Sequence, residues 1–264
     1  NTNVAVIQYL CDTLKDIIDI NEQDWYGCTA LMLAAWFNPN EKVIQCLCDE
    51  FKDTIDTNIE DRDGRTALML AAHNNMNVKV IQRLYSTIKD TTNIDKQDKN
   101  GYTACMLSTT NGNSSVMEYL YTKINLNTQN KTGNTELMLA IKSKNSTTAI
   151  QYLCNTFKDT IDINIQNDDG CTAFMLAAMN NTNIEVIRYL YNTFYCTIDI
   201  NKQNNNGYTA FMLAAMNNTN IEVIRYLSNT DISKQAKNGR TALMLAVQFN
   251  KNVKIIEYLC FYIR

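Results

Sequence analysis

A nine-residue segment, GCTALMLAA from Gly27 to Ala35, returns six more times along the chain. It reappears as GRTALMLAA from Gly64, GYTACMLST from Gly101, GNTELMLAI from Gly133, GCTAFMLAA from Gly170, GYTAFMLAA from Gly207 and GRTALMLAV from Gly239. A unit that recurs in this way is one supersecondary element. It cannot bury its apolar face alone and must stack on its neighbours. The length of 264 residues therefore implies an array rather than globular domains with separate cores.

The spacing says more. Successive glycines of the motif lie 37, 37, 32, 37, 37 and 32 residues apart, which groups the repeats in threes with a longer period of 106. The stretch Thr172–Leu190 recurs without change as Thr209–Leu227, a sign of duplication.

One unit, Asn167 to Lys202, shows the physical reading. Asn167-Asp168-Asp169-Gly170 forms a turn, with Gly170 free to take positive φ. Thr172 caps the first helix, Ala173 to Met179, by accepting from an orphan backbone N–H. Small Ala177 and Ala178 admit close helix contact, while Phe174, Met175 and Leu176 fill the stack. Asn180–Asn183 reverses the chain, and asparagine is expected there because it tolerates the left-handed backbone. The second helix starts near Ile184, and Ile184, Val186, Ile187, Leu190 and Tyr191 make its apolar stripe. A short extended piece, Thr197–Asn201, leads to the next turn.

The apolar share of 45% is ample for burial. A net charge of −3 with scattered basic residues offers no footprint for nucleic acid or for an anionic membrane surface. The longest apolar runs, such as Ala30–Phe37, are too short to span a bilayer. Of nine cysteines, Cys11, Cys48, Cys154 and Cys260 share one repeat position, and Cys28 and Cys171 share another. Cysteine is therefore read as a small apolar side chain rather than a disulfide or zinc framework, and reduced thiols point to the cytoplasm or nucleus. Abundant Asn, Ile, Lys and Tyr are favoured by AT-rich codons, and that abundance is read as a mark of the source genome.

Asp61-Arg62-Asp63-Gly64-Arg65-Thr66-Ala67-Leu68-Met69-Leu70-Ala71-Ala72 resembles the ankyrin signature D-x-x-G-x-T-P-L-H-x-A-A, and Ile161-Asp162-Ile163-Asn164 resembles its closing A-D-V-N. Ala67 stands at the signature Pro and Met69 at the signature His, whose hydrogen bonds packing must replace. The resemblance covers essentially the whole chain. It implies an all-α ankyrin-repeat solenoid of helix-turn-helix units with short β-turn and extended loops. The units read as a partial repeat at 1–23, full repeats at 24–60, 61–97, 98–129, 130–166, 167–203 and 204–235, and a C-terminal repeat at 236–264. Ankyrin units usually run about 33 residues. The longer units carry their excess after the second helix's Leu, so two outer helices in every three are expected to be longer. The TALMLAA-type helices also resemble arrays of giant DNA viruses and some protists, which implies cytoplasmic action, in a viral case in the host's cytoplasm.

No constellation for catalysis emerges. His73 is the one histidine, no nucleophile–His–acid set or metal pair stands out, and no phosphate loop is present. Asp61 with Asp63, and Asp168 with Asp169, recur at turn positions and are read as turn formers. Met32, Met69, Met106, Met138, Met175, Met212 and Met244 are read as core. The chain is expected to be non-enzymatic, with no catalytic, metal or cofactor residues.

The resemblance to a cupped hand, with turn tips as fingers and first helices as palm, places the candidate contact residues. The first full repeat offers Trp25, Tyr26, Trp36 and Phe37, holding both tryptophans of the chain. Such aromatic clusters anchor interfaces, although Trp36 and Phe37 could equally pack on the neighbouring unit. Further tips offer Arg62, Arg65, Tyr102, Tyr208 and Arg240, along with Lys99, Lys131 and Lys237. The palm offers His73, Met179, Met216 and Phe249. The expected partner is a protein or peptide bound on the concave face, with neither nucleic acid nor membrane insertion. Asn1–Ile20 aligns with the second half of a unit, and Phe261-Tyr262 stands near the other end. Neither end has a polar cap, so a fragment of a longer array is expected. The alternative is a structural protein whose solenoids join end to end, through a head-to-tail contact that does not close.

Overall fold

The computed structural model describes residues 3–88, 94–143, 147–180 and 183–262. Among them the chain forms fifteen helices and no strand, in two compact units, Asn1–Asn125 and Leu126–Arg264. The first unit contains inner helices α2 (Ala30–Phe37), α4 (Ala67–Asn74) and α6 (Ala104–Asn111). Its outer helices are α1 (Val4–Leu14), α3 (Glu41–Glu50), α5 (Val78–Thr87) and α7 (Ser114–Tyr121). The second contains inner helices α8 (Glu136–Lys142), α10 (Ala173–Asn180), α12 (Ala210–Asn217) and α14 (Ala242–Phe249). Its outer helices are α9 (Thr147–Phe157), α11 (Ile184–Thr193), α13 (Ile221–Leu227) and α15 (Val253–Tyr262).

Six of the seven inner helices begin where the sequence places them because of their threonines; at the start of α8, Thr135 makes no side-chain cap. The hydroxyls of Thr29, Thr66, Thr103, Thr209 and Thr241 each accept from the N–H of the methionine three residues on, and Thr172 accepts from Met175 at 3.2 Å. This satisfies one orphan donor per helix, worth about 1 kcal/mol. Met32 goes beyond packing: its sulfur accepts from the N–H of Thr29 at 3.4 Å, a partial replacement for the signature histidine. Fully buried alanines, such as Ala35, Ala71, Ala72, Ala177 and Ala178, let α2 lie on α4, and α10 on α12. On the outer helices, Val186, Ile187 and Leu190 are buried while Ile184 and Tyr191 are half-buried.

The rhythm of the repeat appears in the outer helices. In the 37-residue units α3, α5 and α11 have 10 residues and α9 has 11, against 8 in α7 and 7 in α13. The added turn seats buried Phe51 and Ile55 in one repeat and Phe194 in another.

Three expectations are corrected. First, no asparagine takes the left-handed backbone: among the described residues every positive φ belongs to glycine. In the Asn180–Asn183 reversal, residues 181–182 lie outside the described set. The equivalent Asn218 has φ of −76°. Asparagine works instead through its side chain. Asn40, Asn77, Asn113, Asn183 and Asn220 cap outer helices. Asn75 donates from Nδ2 to the carbonyls of Ala35 at 3.0 Å and Asn38 at 2.8 Å. Asn250 repeats this with Ala215 at 2.8 Å and Asn218 at 2.9 Å. Abundant asparagine is thus a structural cement between repeats, beyond any codon preference.

Second, Met244 is 56% exposed, unlike the six buried methionines at its repeat position. Its helix α14 packs on α12 on one side, and the opposite side, where the following inner helix lies in other repeats, carries Met244. Third, Cys260 is exposed although Cys11, Cys48 and Cys154 at the same repeat position are buried; Cys196 is exposed too.

The turn tips form a ladder of their own. Within the first unit, Arg62 N–H donates to the Tyr26 carbonyl at 3.0 Å, and Lys99 N–H to the Asp63 carbonyl at 2.8 Å. Within the second, Asp168 donates to Thr132 at 3.2 Å, Asn205 to Asp169 at 3.1 Å and Lys237 to Asn206 at 3.0 Å. Close approach of the next tip leaves no room for a side chain at Gly27, Gly133, Gly170 and Gly207. Gly27 has φ of +80°, and a Cβ there would stand 2.9 Å from the Arg62 nitrogen. A row of glutamines runs alongside: Gln166 Nε2 donates to its own turn at Gly170 and to the Gln203 carbonyl at 3.0 Å, and Gln203 repeats the pattern with Gln235 at 3.0 Å.

Candidate functional site

The first two tips and helix α2 enclose a cleft of about 550 Å³. Its floor is α2, which starts at the Thr29 cap and ends in Trp36 and Phe37. Leu33, Trp36 and Phe37 give it an apolar wall, Tyr26 and Cys28 come from the first tip, and Arg62 and Arg65 from the second. The rings of Trp36 and Phe37 stack with centroids 4.8 Å apart. Trp36 is half-buried, whereas Phe37 is 69% exposed. Packing on a neighbouring unit therefore accounts for part of Trp36 and little of Phe37.

Two cation–π contacts order the arginines. The Arg65 guanidinium carbon lies 5.7 Å from the centre of the Trp36 ring, and that of Arg62 lies 4.7 Å from Trp25, itself 77% exposed at the rim. Arg65 is tied down, with Nε 3.0 Å from Asp61 Oδ2 and a terminal nitrogen 2.6 Å from Asp63 Oδ2. The buried Asp61 also accepts from the N–H groups of Asp63 and Arg65 at 2.9 and 2.8 Å through Oδ1. Asp24 does the same for Tyr26 and Cys28, both at 2.8 Å. Asp61 is therefore a turn former, as its repeat position suggested, whereas the side chain of Asp63 holds Arg65 instead, and in the Asp168-Asp169 turn it is Asn167 that accepts from the N–H groups of Asp169 and Cys171.

Burial, reinforced by the carboxylates of Asp24 and Asp61, pushes the Cys28 thiol up and keeps it protonated. Among the described residues no group of three or more His, Cys, Asp or Glu side chains is gathered as a metal site would need. No described helix is long and apolar enough to cross a membrane.

Of the residues chosen from sequence, Tyr26, Trp36, Phe37, Arg62 and Arg65 line this cleft and Trp25 adjoins it through Arg62. His73, at the end of α4, is half-buried with Nδ1 3.3 Å from Asn74 Nδ2; burial and then the Arg65 charge lower its pKa. Tyr102 is half-buried in the third tip, its N–H held by Asp98 at 2.8 Å. The remaining candidates belong to the second unit and do not line this cleft: half-buried Met179 and Met216 near the ends of α10 and α12, half-buried Tyr208 and Arg240 in their tips, and the exposed Phe249 ending α14. Leu33 and Asp63 were missed. Leu33 shares its repeat position with Leu176, expected to fill the stack; Leu70 and Leu176 are buried there, but in α2 Leu33 is 38% exposed.

A family model described as ankyrin repeats (three copies) matches residues 47–130, 77–167, 123–199, 155–232 and 192–263 in overlapping frames. The fold is similar to the crystal structure of the ankyrin repeat domain of Bcl-3, described as a unique member of the IkappaB protein family. That match has a TM-score of 0.72 and 20% sequence identity, and covers 90% of this chain and 100% of the other. At that identity the likeness concerns the fold alone. No curated protein matches the sequence.

Proposed function

The chain belongs to the ankyrin-repeat family, and we propose that it works as a non-enzymatic scaffold that binds a protein or peptide through the face formed by its turn tips and inner helices. The observation that carries this reading is the cleft at the first two tips. Four aromatic residues and two arginines meet there, the residue types most enriched at interface hot spots. The backbone around them is fixed by tip-to-tip hydrogen bonds, so little ordering cost falls on binding. Cytoplasmic action is the setting we propose, since the buried thiols are free. A pull-down with the wild-type chain and with Trp25→Ala/Trp36→Ala tests the reading. The double variant is expected to lose the partner; undiminished recovery would remove this cleft as the binding site.

A second reading, assembly by end-to-end stacking, is favoured by one observation. On α14 the side away from α12 presents Met244, 56% exposed, and Val247, 61% exposed, and on α2 Leu33 is 38% exposed. In inner repeats the equivalent methionines and leucines are buried. Sedimentation velocity decides it: a single monomer species at micromolar concentration, unchanged by Met244→Lys, would end this reading.

A further inference from the structure

The chain is formally acidic, with a net charge of −3, yet the second and third tips of the first unit point cations outward. Their acids are consumed by turn geometry. Asp61 and Asp98 are buried, and each accepts two backbone N–H groups of its own turn through Oδ1. Asp63 is paired with Arg65. The cations at the position two before each glycine point outward: Arg62 and Lys99 are exposed. Among the described residues neither has a carboxylate within ion-pairing distance. Lys99 Nζ donates to the Arg62 carbonyl at 2.6 Å, which holds the ammonium beside the second tip with donors to spare. Arg62 is likewise held, stacked on Trp25. Asp24, an exposed carboxylate, belongs to the first tip. The tips therefore run from acid at the first to cation at the second and third, beside an apolar cleft.

We propose that this surface takes an extended acidic peptide segment: one bulky apolar side chain seated in the cleft against Leu33, Trp36 and Phe37, followed by carboxylates that pair with Arg62 and Lys99. The inference rests on the reading that this face binds protein, and it adds the chemistry of the partner. Neighbouring tips are spaced like the packed helices beneath them, about 8–10 Å. That is roughly three residues of extended chain at about 3.3 Å each, so the two carboxylates stand about three residues apart. Charge fixes the direction of the segment, since its acidic end is repelled by Asp24. Arginine suits the task because its planar fork binds a carboxylate in two-point fashion.

The two tryptophans of the chain, Trp25 and Trp36, both stand at this surface, so fluorescence excited selectively in tryptophan reports on it and not on the tyrosines elsewhere. The full chain is titrated with four short synthetic peptides: aromatic with two glutamates, aromatic with two glutamines, aromatic with two lysines, and the glutamate peptide with its aromatic replaced by alanine. An oligothymidylate forms a fifth arm. The glutamate peptide is expected to bind about tenfold more tightly than the glutamine peptide, equivalent to about 1.4 kcal/mol. The lysine and alanine peptides should bind more weakly still, and added salt should reduce the preference. In Arg62→Glu/Lys99→Glu, whose replaced side chains are exposed and whose fold is checked by circular dichroism, the preference is expected to invert toward lysine. Equal or tighter binding of the lysine peptide by the wild type overturns the acidic chemistry while leaving the cleft as a protein site. Tighter binding of the oligonucleotide, lost in Trp25→Ala, overturns it in favour of stacking on nucleic acid. A titration in which no peptide moves the fluorescence overturns it as well; the pull-down with Trp25→Ala/Trp36→Ala then shows independently whether the wider reading also falls.

Discussion

Asn75 donates both protons of its buried amide to the preceding repeat, to the carbonyls of Ala35 at 3.0 Å and Asn38 at 2.8 Å. Its Oδ1 accepts from Asn77 N–H at 3.0 Å. One side chain thus closes the end of α2 and the reversal that follows its own helix. Asn75→Ala is expected to lower the free energy of unfolding by about 2–3 kcal/mol, since two carbonyls lose a partner away from water. The neighbouring exposed Asn74→Ala should cost well under about 1 kcal/mol. Urea denaturation of the two variants checks the contrast; equal effects would dismiss the amide as cement.

Glycine substitutions separate backbone strain from crowding. Gly133 and Gly239 both have positive φ, +72° and +77°. A Cβ on Gly133 would meet the Asp168 nitrogen at 2.6 Å, whereas one on Gly239 meets nothing within 4 Å. Gly239→Ala is expected to cost about 1–2 kcal/mol from the left-handed backbone alone. Gly133→Ala should cost at least about 1 kcal/mol more, because the tip-to-tip hydrogen bond beside it must open. Thermal unfolding of the pair reads the difference directly.

Cysteine reactivity follows burial. Cys196 and Cys260 are exposed, whereas seven cysteines are buried. Burial pushes the Cys154 thiol up to about 12 and, with the adjacent Cys11 adding to it, the Cys46 thiol to about 12. At mildly alkaline pH a thiol reagent is expected to label two sites quickly and the other seven at least about a hundredfold more slowly, until denaturant is added. Mass spectrometry of the labelled peptides identifies the two. Rapid labelling of Cys154 in the native protein would contradict the packing around it.

His73 gives a pH dependence of known sign. Burial, then the charge of Arg65, lowers its pKa below the ordinary 6.5. The unfolded chain therefore binds the proton first, and stability contributed by neutral His73 is complete above about pH 6.5 and lost as pH falls through the lower folded value. Proton NMR of the one histidine should show a titration midpoint below the ordinary value. Loss of stability between neutral and mildly acidic pH should be smaller in His73→Gln.

Much of this was legible in the sequence, for reasons that differ by residue. Thr29 and its equivalents mark helix starts because a cap acts within one turn, so the residue and its effect lie three positions apart. The outer-helix lengths follow from counting, since extra residues between Leu47 and Gly64 have nowhere else to go. The role of Asn75 was hidden because its partners lie a whole repeat away, and one sequence does not state which carbonyls face it. Met244 misled because its burial depends on a neighbouring helix and not on its own repeat position. At the cleft, Trp25, Tyr26, Trp36, Phe37, Arg62 and Arg65 stood out as variable positions in a constant frame. Variation says that a side chain is free of the scaffold; it does not say which others it meets. Hence the same reasoning named Tyr102 and Phe249, which line no part of the cleft.

The hydrogen bonds described between repeats all reach from one repeat to the next and no further, as the tip contact from Lys99 to Asp63 does. A pulling force applied to the two ends therefore loads junctions in series, with no cross-link among the described residues to share it over distance. Under tension the chain should yield one repeat at a time, each junction breaking at its own force. Each rupture would release about 110 Å for a 32-residue repeat or about 130 Å for a 37-residue one. The spacing of the glycines thus becomes a ruler that a single-molecule force trace can read.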